Sequence, residues 1–533
     1  MSPQSDNGLL PSKSDPYFDN KSAESPSSKD GKLECEKFVD FDQVFDSIKH
    51  YGRYQFFMLL VIQYVMLNSA GNYIFMSFAA LRPTCQLYQH KQMEDVCHDI
   101  AACPSQNRTS IFHSLYEEAD FVCPLSHLPQ HMQTMQAIGS GVGAILGGHL
   151  ADMFGRKWVT YAGAIHMCLF GLMGAFSINW HMLALAMFGM GLAYGILVDA
   201  SMTLASETVG PRHRIVQTLA FQWSLAFQID SLLAYLTADW RRYLMALNGL
   251  CLPVLLLMLF WRESPRWLIQ KRRHTDACRE LNAISAWNGC SVRFKPEDLS
   301  GIHLSDSADK CKIYSLWDLF ATKKLALYSM VMIFSALTVE MCVGVIIFDV
   351  QILAGNPFLN IAFYGLLRIW VPFFIVLMEA RSTWFGRRLL FISSQSTTVI
   401  CYTSVLLMMV LLPPVLYDNT FFGVLRTVLM LVGGVVNSGI FFTIYKQYSI
   451  ELYPTLMRAM AVGAFGVVER VGGALAPQLI TMNAWAWQGS ALTVTTCIAL
   501  VSLITGFIIL PETRNSSMPD VHSAGGRKSQ NKY

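Results

Sequence analysis

The chain has 533 residues, 53% of them hydrophobic and only 14% charged, against about 25% charged in an ordinary soluble domain. Its net charge is +3. This balance excludes a soluble globular protein and offers no basic surface to a nucleic acid; it fits a chain solvated by lipid.

Residues 1–52 are polar, contain Ser and Pro, and read as a disordered cytoplasmic segment without a cleavable signal peptide. Membrane spans need about 20 apolar residues each, and twelve stretches qualify. The first six are Phe56–Phe78, Gln133–Leu150, Trp158–Phe176, His181–Thr203, Val216–Thr237 and Tyr243–Trp261. They predict an N-terminal six-helix bundle over 53–261 with a large outward loop at 79–132. A middle loop, 262–324, is densely basic, and the apolar spacing at Thr275–Trp287 predicts an amphipathic helix in it. The last six are Leu325–Ile347, Leu359–Met378, Leu389–Leu412, Phe421–Ile444, Met460–Ile480 and Ser490–Leu510. They predict a second bundle over 325–510 and a tail at 511–533. Backbone groups in lipid must bond within their own segment, so the spans are helices; they are too long for barrel strands.

Lys and Arg set the orientation. The connectors after spans 2, 4, 8 and 10 hold Arg156 and Lys157, Arg212 and Arg214, Arg381, Arg387 and Arg388, and Arg458. The opposite connectors have none, except for Arg241 and Arg242. Both termini are therefore expected in the cytoplasm. On the outer side, Cys85, Cys97, Cys103 and Cys123 predict two disulfides with three possible connectivities. Asn107-Arg108-Thr109 in the same loop is a glycosylation acceptor. Asn20-Lys21-Ser22 and Asn515-Ser516-Ser517 face the cytoplasm and are expected to stay unmodified.

One phrase occurs twice. Gly147-Gly148-His149-Leu150-Ala151-Asp152-Met153-Phe154-Gly155-Arg156-Lys157 ends span 2, and a degraded copy, Glu379-Ala380-Arg381-Ser382-Thr383-Trp384-Phe385-Gly386-Arg387-Arg388, ends span 8. A basic connector repeated once per half implies a carrier built from two similar halves. Further landmarks follow in order: Glu118-Ala119-Asp120-Phe121-Val122-Cys123, Glu263-Ser264-Pro265-Arg266-Trp267-Leu268, Glu451-Leu452-Tyr453-Pro454-Thr455-Leu456-Met457-Arg458, and Leu510-Pro511-Glu512-Thr513-Arg514. With these the chain resembles a major facilitator superfamily transporter, and more narrowly the organic cation/anion/zwitterion transporter family. The resemblance implies an all-α membrane protein of twelve helices in two pseudo-symmetric six-helix bundles, rocking about a central site. It also implies a cytoplasmic latch drawn from Asp152, Arg156, Lys157, Glu207, Arg212, Arg387 and Arg388. Thr383 stands where a second Asp is expected, which puts the second latch in doubt.

Charges inside spans are costly and mark function or internal pairing. Arg470 lies mid-span; the family carries Asp here in cation transporters and Arg in anion and carnitine-type members, so the resemblance implies an anionic counter-charge on the substrate. The alternative is an internal pair with Glu340 or Asp230. Counting from Asn356, Arg368 replaces a family acid important for cation recognition; matching at Pro372 instead puts Trp370 there. Lys446 either lines the cavity or snorkels to its edge. Asp199 and Glu379 fall near span ends, Asp230 and Glu340 deeper, and Glu469 points to a different face from Arg470. Trp223, Tyr364, Trp370, Phe441, Phe442, Tyr445 and Tyr448 are candidates for an aromatic cavity wall. If two of the three cations face inward, the site is electropositive.

The expectation is a multi-pass plasma-membrane carrier of small organic ions, secondary-active or facilitative, with an anion or zwitterion preferred. An organic cation carrier and a non-transporting binding or endocytic receptor on the same scaffold are the alternatives. The sequence holds no phosphate-binding Gly-Lys-Ser/Thr loop, metal-ligand cluster or nucleophile elbow, so no cofactor, metal or enzymatic activity is expected.

Overall fold

Each of the twelve apolar stretches is helical over its described part in a computed structural model, which describes residues 41–85, 108–119, 121, 125–210, 222–300, 316–348, 350, 353–381, 386–413 and 419–513. The first six spans are Arg53–Ala79, Leu128–Phe154, Arg156–Ala175, Trp180–Glu207, Gln222–Thr237 and Trp240–Met258. Span 7 is Lys323–Phe348, and span 8 consists of Pro357–Ile369 and Val371–Arg381. Spans 9 to 12 are Arg387–Leu411, Thr420–Glu451, Thr455–Trp485 and Ser490–Ile509. Span 8 breaks at Trp370 because Pro372 has no N–H to return to the preceding turn. Cys97, Cys103, Cys123, Asn107 and Arg212 lie outside the described residues, as does the side chain of Cys85.

Among the described residues, nine spans are long and apolar enough to cross a membrane on length and composition alone. The exceptions are spans 2, 5 and 11. Span 5 is described over only 16 residues. Span 2 buries Gln130, Gln133, Gln136 and Ser140, and span 11 carries Glu469 and Arg470. Their polar faces meet other helices rather than lipid.

The first 52 residues are not uniformly irregular. Phe41–Ile48 is a helix with Phe41, Val44, Phe45 and Ile48 all buried. Their i, i+3, i+4, i+7 spacing is an amphipathic signal that polar neighbours mask. The predicted middle-loop helix is present as His274–Trp287. Asn288, at its end, donates to the Ile48 carbonyl (3.3 Å) and to Gln55 Oε1 (3.1 Å) and accepts from the Tyr54 amide (3.0 Å). It ties the middle loop to the start of span 1.

Spans 2 and 4 approach through glycine. Gly139, Gly143 and Gly147 recur every fourth residue on span 2, opposite Gly191 and Gly195 on span 4. A Cβ at Gly143 would strike the Leu192 carbonyl, one at Gly195 the Ser140 carbonyl, and one at Gly147 would lie 2.7 Å from Ile196 Cα. Such small-residue seams let helix backbones pack closely in lipid.

Spans 1–6 and spans 7–12 form two groups that meet along two helix pairs, span 2 with span 11 and span 5 with span 8. At the end bearing the 79–132 loop, these pairs are closed. Thr134 Oγ1 donates to the Ala474 carbonyl (3.3 Å), and Gln478 Nε2 donates to Thr134 Oγ1 (2.7 Å) and lies 3.0 Å from His131 Nδ1. Gly365 presses on Phe227 and on the Ser224 carbonyl. Phe358 sits in a socket of Phe78, Phe112 and Tyr235, with ring centroids 5.6, 6.0 and 6.0 Å away. Toward the basic end the faces part. A Cβ at Gly141 would lie 3.5 Å from Arg470 Cβ, whereas at Gly148, two turns on, it meets nothing within 4 Å; the same holds at Gly466 and Gly463, below Arg470 on span 11. The cleft opens toward the basic connectors.

Arg241, one of the two cations that break the loop-charge pattern, is neutralised where it stands. Its guanidinium takes Glu118 through Nε (2.8 Å) and Nη2 (2.5 Å), and donates to the carbonyls of Ala175 (2.7 Å) and Ser177 (2.8 Å). Glu118 also accepts from Trp240 Nε1 at 2.7 Å. This cation anchors the large loop and carries little topological weight.

Candidate functional site

At the closed end of the cleft, four aromatic rings meet. Tyr73 of span 1 stacks on Tyr194 of span 4 with centroids 4.7 Å apart, and Trp223 of span 5 stands edge-on to both at 6.0 and 5.8 Å. Phe348 of span 7 completes the wall 6.3 Å from Tyr73. The Arg470 guanidinium lies over the Tyr194 ring, 5.2 Å from its centroid. Among the described residues no carboxylate lies within ion-pair distance of it, 4.0 Å. Glu340, Asp199 and Tyr73 surround it at longer electrostatic range. Glu340 packs beside Gly472 and Gly473, one turn along span 11. Asp199 is exposed to the cleft although it lies within a span.

The other predicted cations fare differently. Lys446 is held by Glu469 at 2.6 Å, with its ammonium over the rings of Phe442 (5.4 Å) and Tyr445 (5.6 Å). It brings no spare charge. Arg368 is half-buried, at longer electrostatic range of Glu340 and Tyr364. Three cations therefore stand against Glu340, Asp199 and Glu469, and the expected electropositive cavity is instead charge-balanced, with Arg470 free of close pairing. Tyr364 is buried against Phe227 of the other group at 5.4 Å. Trp370 points away. It shares an exposed stripe with Leu366, Phe373 and Leu377, the spacing of a lipid-facing helix surface. Asp230 is not the partner of Arg470; it is buried against Gly71 and Leu247. Tyr73, Tyr194 and Phe348 were not legible as site residues, since an aromatic in an apolar span resembles any packing residue.

A double-mutant cycle separates the two cations. Lys446→Ala and Glu469→Ala singly are each expected to cost about 2 kcal/mol or more, and the pair little beyond either, because the first strands the buried Glu469 and the second the half-buried Lys446. Additive losses in thermal unfolding would contradict the pairing.

The repeated connectors are held alike in both groups. Gly155 has φ +101°, a conformation that favours glycine, and a Cβ there would lie 2.5 Å from Glu263 Oε2. Glu263 accepts from the amides of Arg156 (2.9 Å) and Lys157 (3.1 Å) at the start of span 3, where the helix dipole favours an anion. Glu512 does the same for Arg387 (2.9 Å) and Arg388 (3.1 Å) at the start of span 9, and Gly386 leaves room for it. Arg156 pairs with Asp152 (3.0 Å) and with Glu207 (3.3 Å). Arg387 pairs with Glu451. The second connector thus keeps the Arg–Glu pair, although Thr383 replaces the Asp. Lys157 takes no part in these pairs; its ammonium donates to the Leu259 carbonyl at 3.3 Å. Glu207→Gln and Glu451→Gln are expected to destabilise the purified protein alike, by about 1–3 kcal/mol each. A loss confined to Glu207→Gln in thermal unfolding would mean that the second connector holds nothing.

Comparison with known proteins fits this architecture. Residues 100–524 match the family model "Sugar (and other) transporter". The chain is 27% identical over 416 residues to solute carrier family 22 member 1 of Bos taurus, covering 76% of this chain and 69% of that one. It is 26% identical over 440 residues to an organic cation transporter-like protein of Drosophila melanogaster, covering 79% and 74%. Among solved structures, a D-xylose-proton symporter superposes with TM-score 0.59 at 17% identity, covering 87% of this chain and 100% of that one. The chain belongs to the sugar (and other) transporter family: it is a multi-pass membrane transporter of the major facilitator fold, related to solute carrier family 22, and not an enzyme.

Proposed function

We propose that the chain moves small organic ions across the plasma membrane by alternating access, as a secondary-active or facilitative carrier, and that carboxylate-bearing anions and zwitterions are preferred over cations. The excess of Lys and Arg on the connectors puts the basic end and both termini in the cytoplasm; the conformation described is then inward-facing. The observation that carries the substrate reading is Arg470: a guanidinium beside an aromatic wall, at the head of an open cleft, with no carboxylate among the described residues in ion-pair range. A substrate carboxylate supplies the missing partner. Asp199 and Glu340 nearby suit the cationic end of a zwitterion, and Tyr73 and Trp223 its apolar body. In the same reading the Arg156 and Arg387 clusters, already paired within each group, meet across the cytoplasmic ends when the carrier faces outward.

Uptake of labelled benzoate, glycine betaine and tetraethylammonium into proteoliposomes tests this. Saturable flux of the first two, lost in Arg470→Ala, supports the proposal. Saturable tetraethylammonium flux indifferent to Arg470→Ala favours the cation reading, which the three acids support. Binding of these probes without flux favours a receptor on a carrier scaffold.

A further inference from the structure

Asp230 has no place in the site described above. It is fully buried in span 5, and neither carboxylate oxygen has a hydrogen-bond partner among the described residues. A Cβ on Gly71 of span 1 would lie 2.7 Å from Asp230 Oδ1, with the Leu247 side chain of span 6 beside the same point. The ionisable group turned toward it is the Tyr243 hydroxyl of span 6, which donates to the Gly71 carbonyl at 3.2 Å. On the same helices, Tyr73 is stacked on Tyr194, and Asn68 and Asn72 bond to the Leu247 carbonyl (3.0 Å) and Asn248 (3.1 Å). From span 8, Tyr364 packs on Phe227, and Arg368 lies at longer electrostatic range of Glu340. An ionised carboxylate with no cation or donor is far too costly in such a place, and the group takes a proton instead.

We propose that Asp230 is a proton-binding site of this carrier, occupied in the conformation described and emptied when the loop end opens. The seal over it depends on the other group of spans. Gly71 precedes Tyr73, which meets Phe348, and Asp230 follows Phe227, which meets Tyr364 and Gly365. Opening the loop end withdraws Phe348, Tyr364 and Gly365 and lets water reach both flanking segments, where a carboxylate is tolerated. Proton loss then favours the open loop end, and proton uptake favours the closed one; by linkage, acid shifts the population toward the closed form. The step is the protonation of one carboxylate and needs no other reactant. It rests on the alternating-access part of the proposed function and not on the substrate.

Two measurements on the full chain test it. Spin labels carried by unnatural amino acids at exposed Ile178 and Gln488, on opposite groups at the loop end, report its opening. The open-to-closed ratio is expected to rise with pH, by up to about tenfold per unit, the limit for one proton. Asp230→Asn, which mimics the neutral acid, is expected to stay closed at every pH. Infrared difference spectroscopy of the wild type is expected to show the C=O stretch of a protonated carboxyl that Asp230→Asn lacks. An unaltered pH response in Asp230→Asn, a wild-type ratio that follows sodium at fixed pH, or a carboxyl band that persists in the variant would overturn the proposal. Failure of organic-ion uptake with these results intact would overturn only the substrate reading.

Discussion

Arg470→Ala is expected to weaken binding of a carboxylate-bearing substrate at least about thirty-fold, since truncating one partner of a desolvated charge pair costs about 2–5 kcal/mol. Four neighbours sharpen the expectation. Tyr194 lies under the guanidinium, its ring centroid 5.2 Å away. Gly141 lets span 2 pass close to its stem, with 3.5 Å between a Cβ there and Arg470 Cβ. Glu340 and Asp199 lie at longer electrostatic range and leave its fork unoccupied. Arg470→Lys is expected to recover only part of the affinity, because an ammonium lacks the planar fork that grips both carboxylate oxygens and stacks poorly on Tyr194. Equilibrium binding of labelled benzoate or glycine betaine to the purified variants measures the effect. Equal affinities in wild type and Arg470→Ala would remove Arg470 from the site.

The largest effect on folding is expected at Gly143. Its Cβ position is taken by the Leu192 carbonyl; a Cβ at Gly139 would strike the Phe188 carbonyl, and one at Gly147 would lie 2.7 Å from Ile196 Cα. Backbone atoms cannot rotate aside as a side chain can, so Gly143→Val must separate spans 2 and 4. Overpacking a fitted seam costs about 1–3 kcal/mol even where side chains can yield, and more is expected here. The loss should appear as a collapse of monodisperse protein on size-exclusion chromatography. Gly148→Val is the control: nothing lies within 4 Å of that position, and yield should hold. Equal yields from the two variants would contradict the seam.

The contrast between what composition reveals and what it hides runs through both groups of spans. The twelve helices were legible because lipid imposes length and apolarity on each one separately. Arg470 was legible because a mid-span charge has no cheap explanation. Its surroundings were not. Lys446 and Glu469 lie on different helices, and only their packing shows that they neutralise each other at 2.6 Å. Trp370 satisfies the composition of a cavity wall yet faces outward, since the break at Pro372 sets where the stripe from Leu366 to Leu377 points. The second connector looked degraded because Thr383 replaces an Asp, whereas Glu451 and Glu512, far along the chain, hold Arg387 and Arg388. The Glu263 and Glu512 landmarks resembled family signatures without a mechanism; each is the acid that caps the neighbouring span. The seam of Gly139, Gly143 and Gly147 is a four-residue period visible in the chain, and its meaning depends on span 4 lying opposite. The helix at Phe41–Ile48 was hidden by its polar neighbours.

Density for the carrier with glycine betaine bound tests the central claim most directly. The account predicts the ligand carboxylate about 2.7–2.9 Å from the Arg470 guanidinium, with the ammonium between the aromatic wall and Asp199 or Glu340. Arg470 locked in an ion pair with Glu340 or Asp199, and the ligand elsewhere, would contradict it.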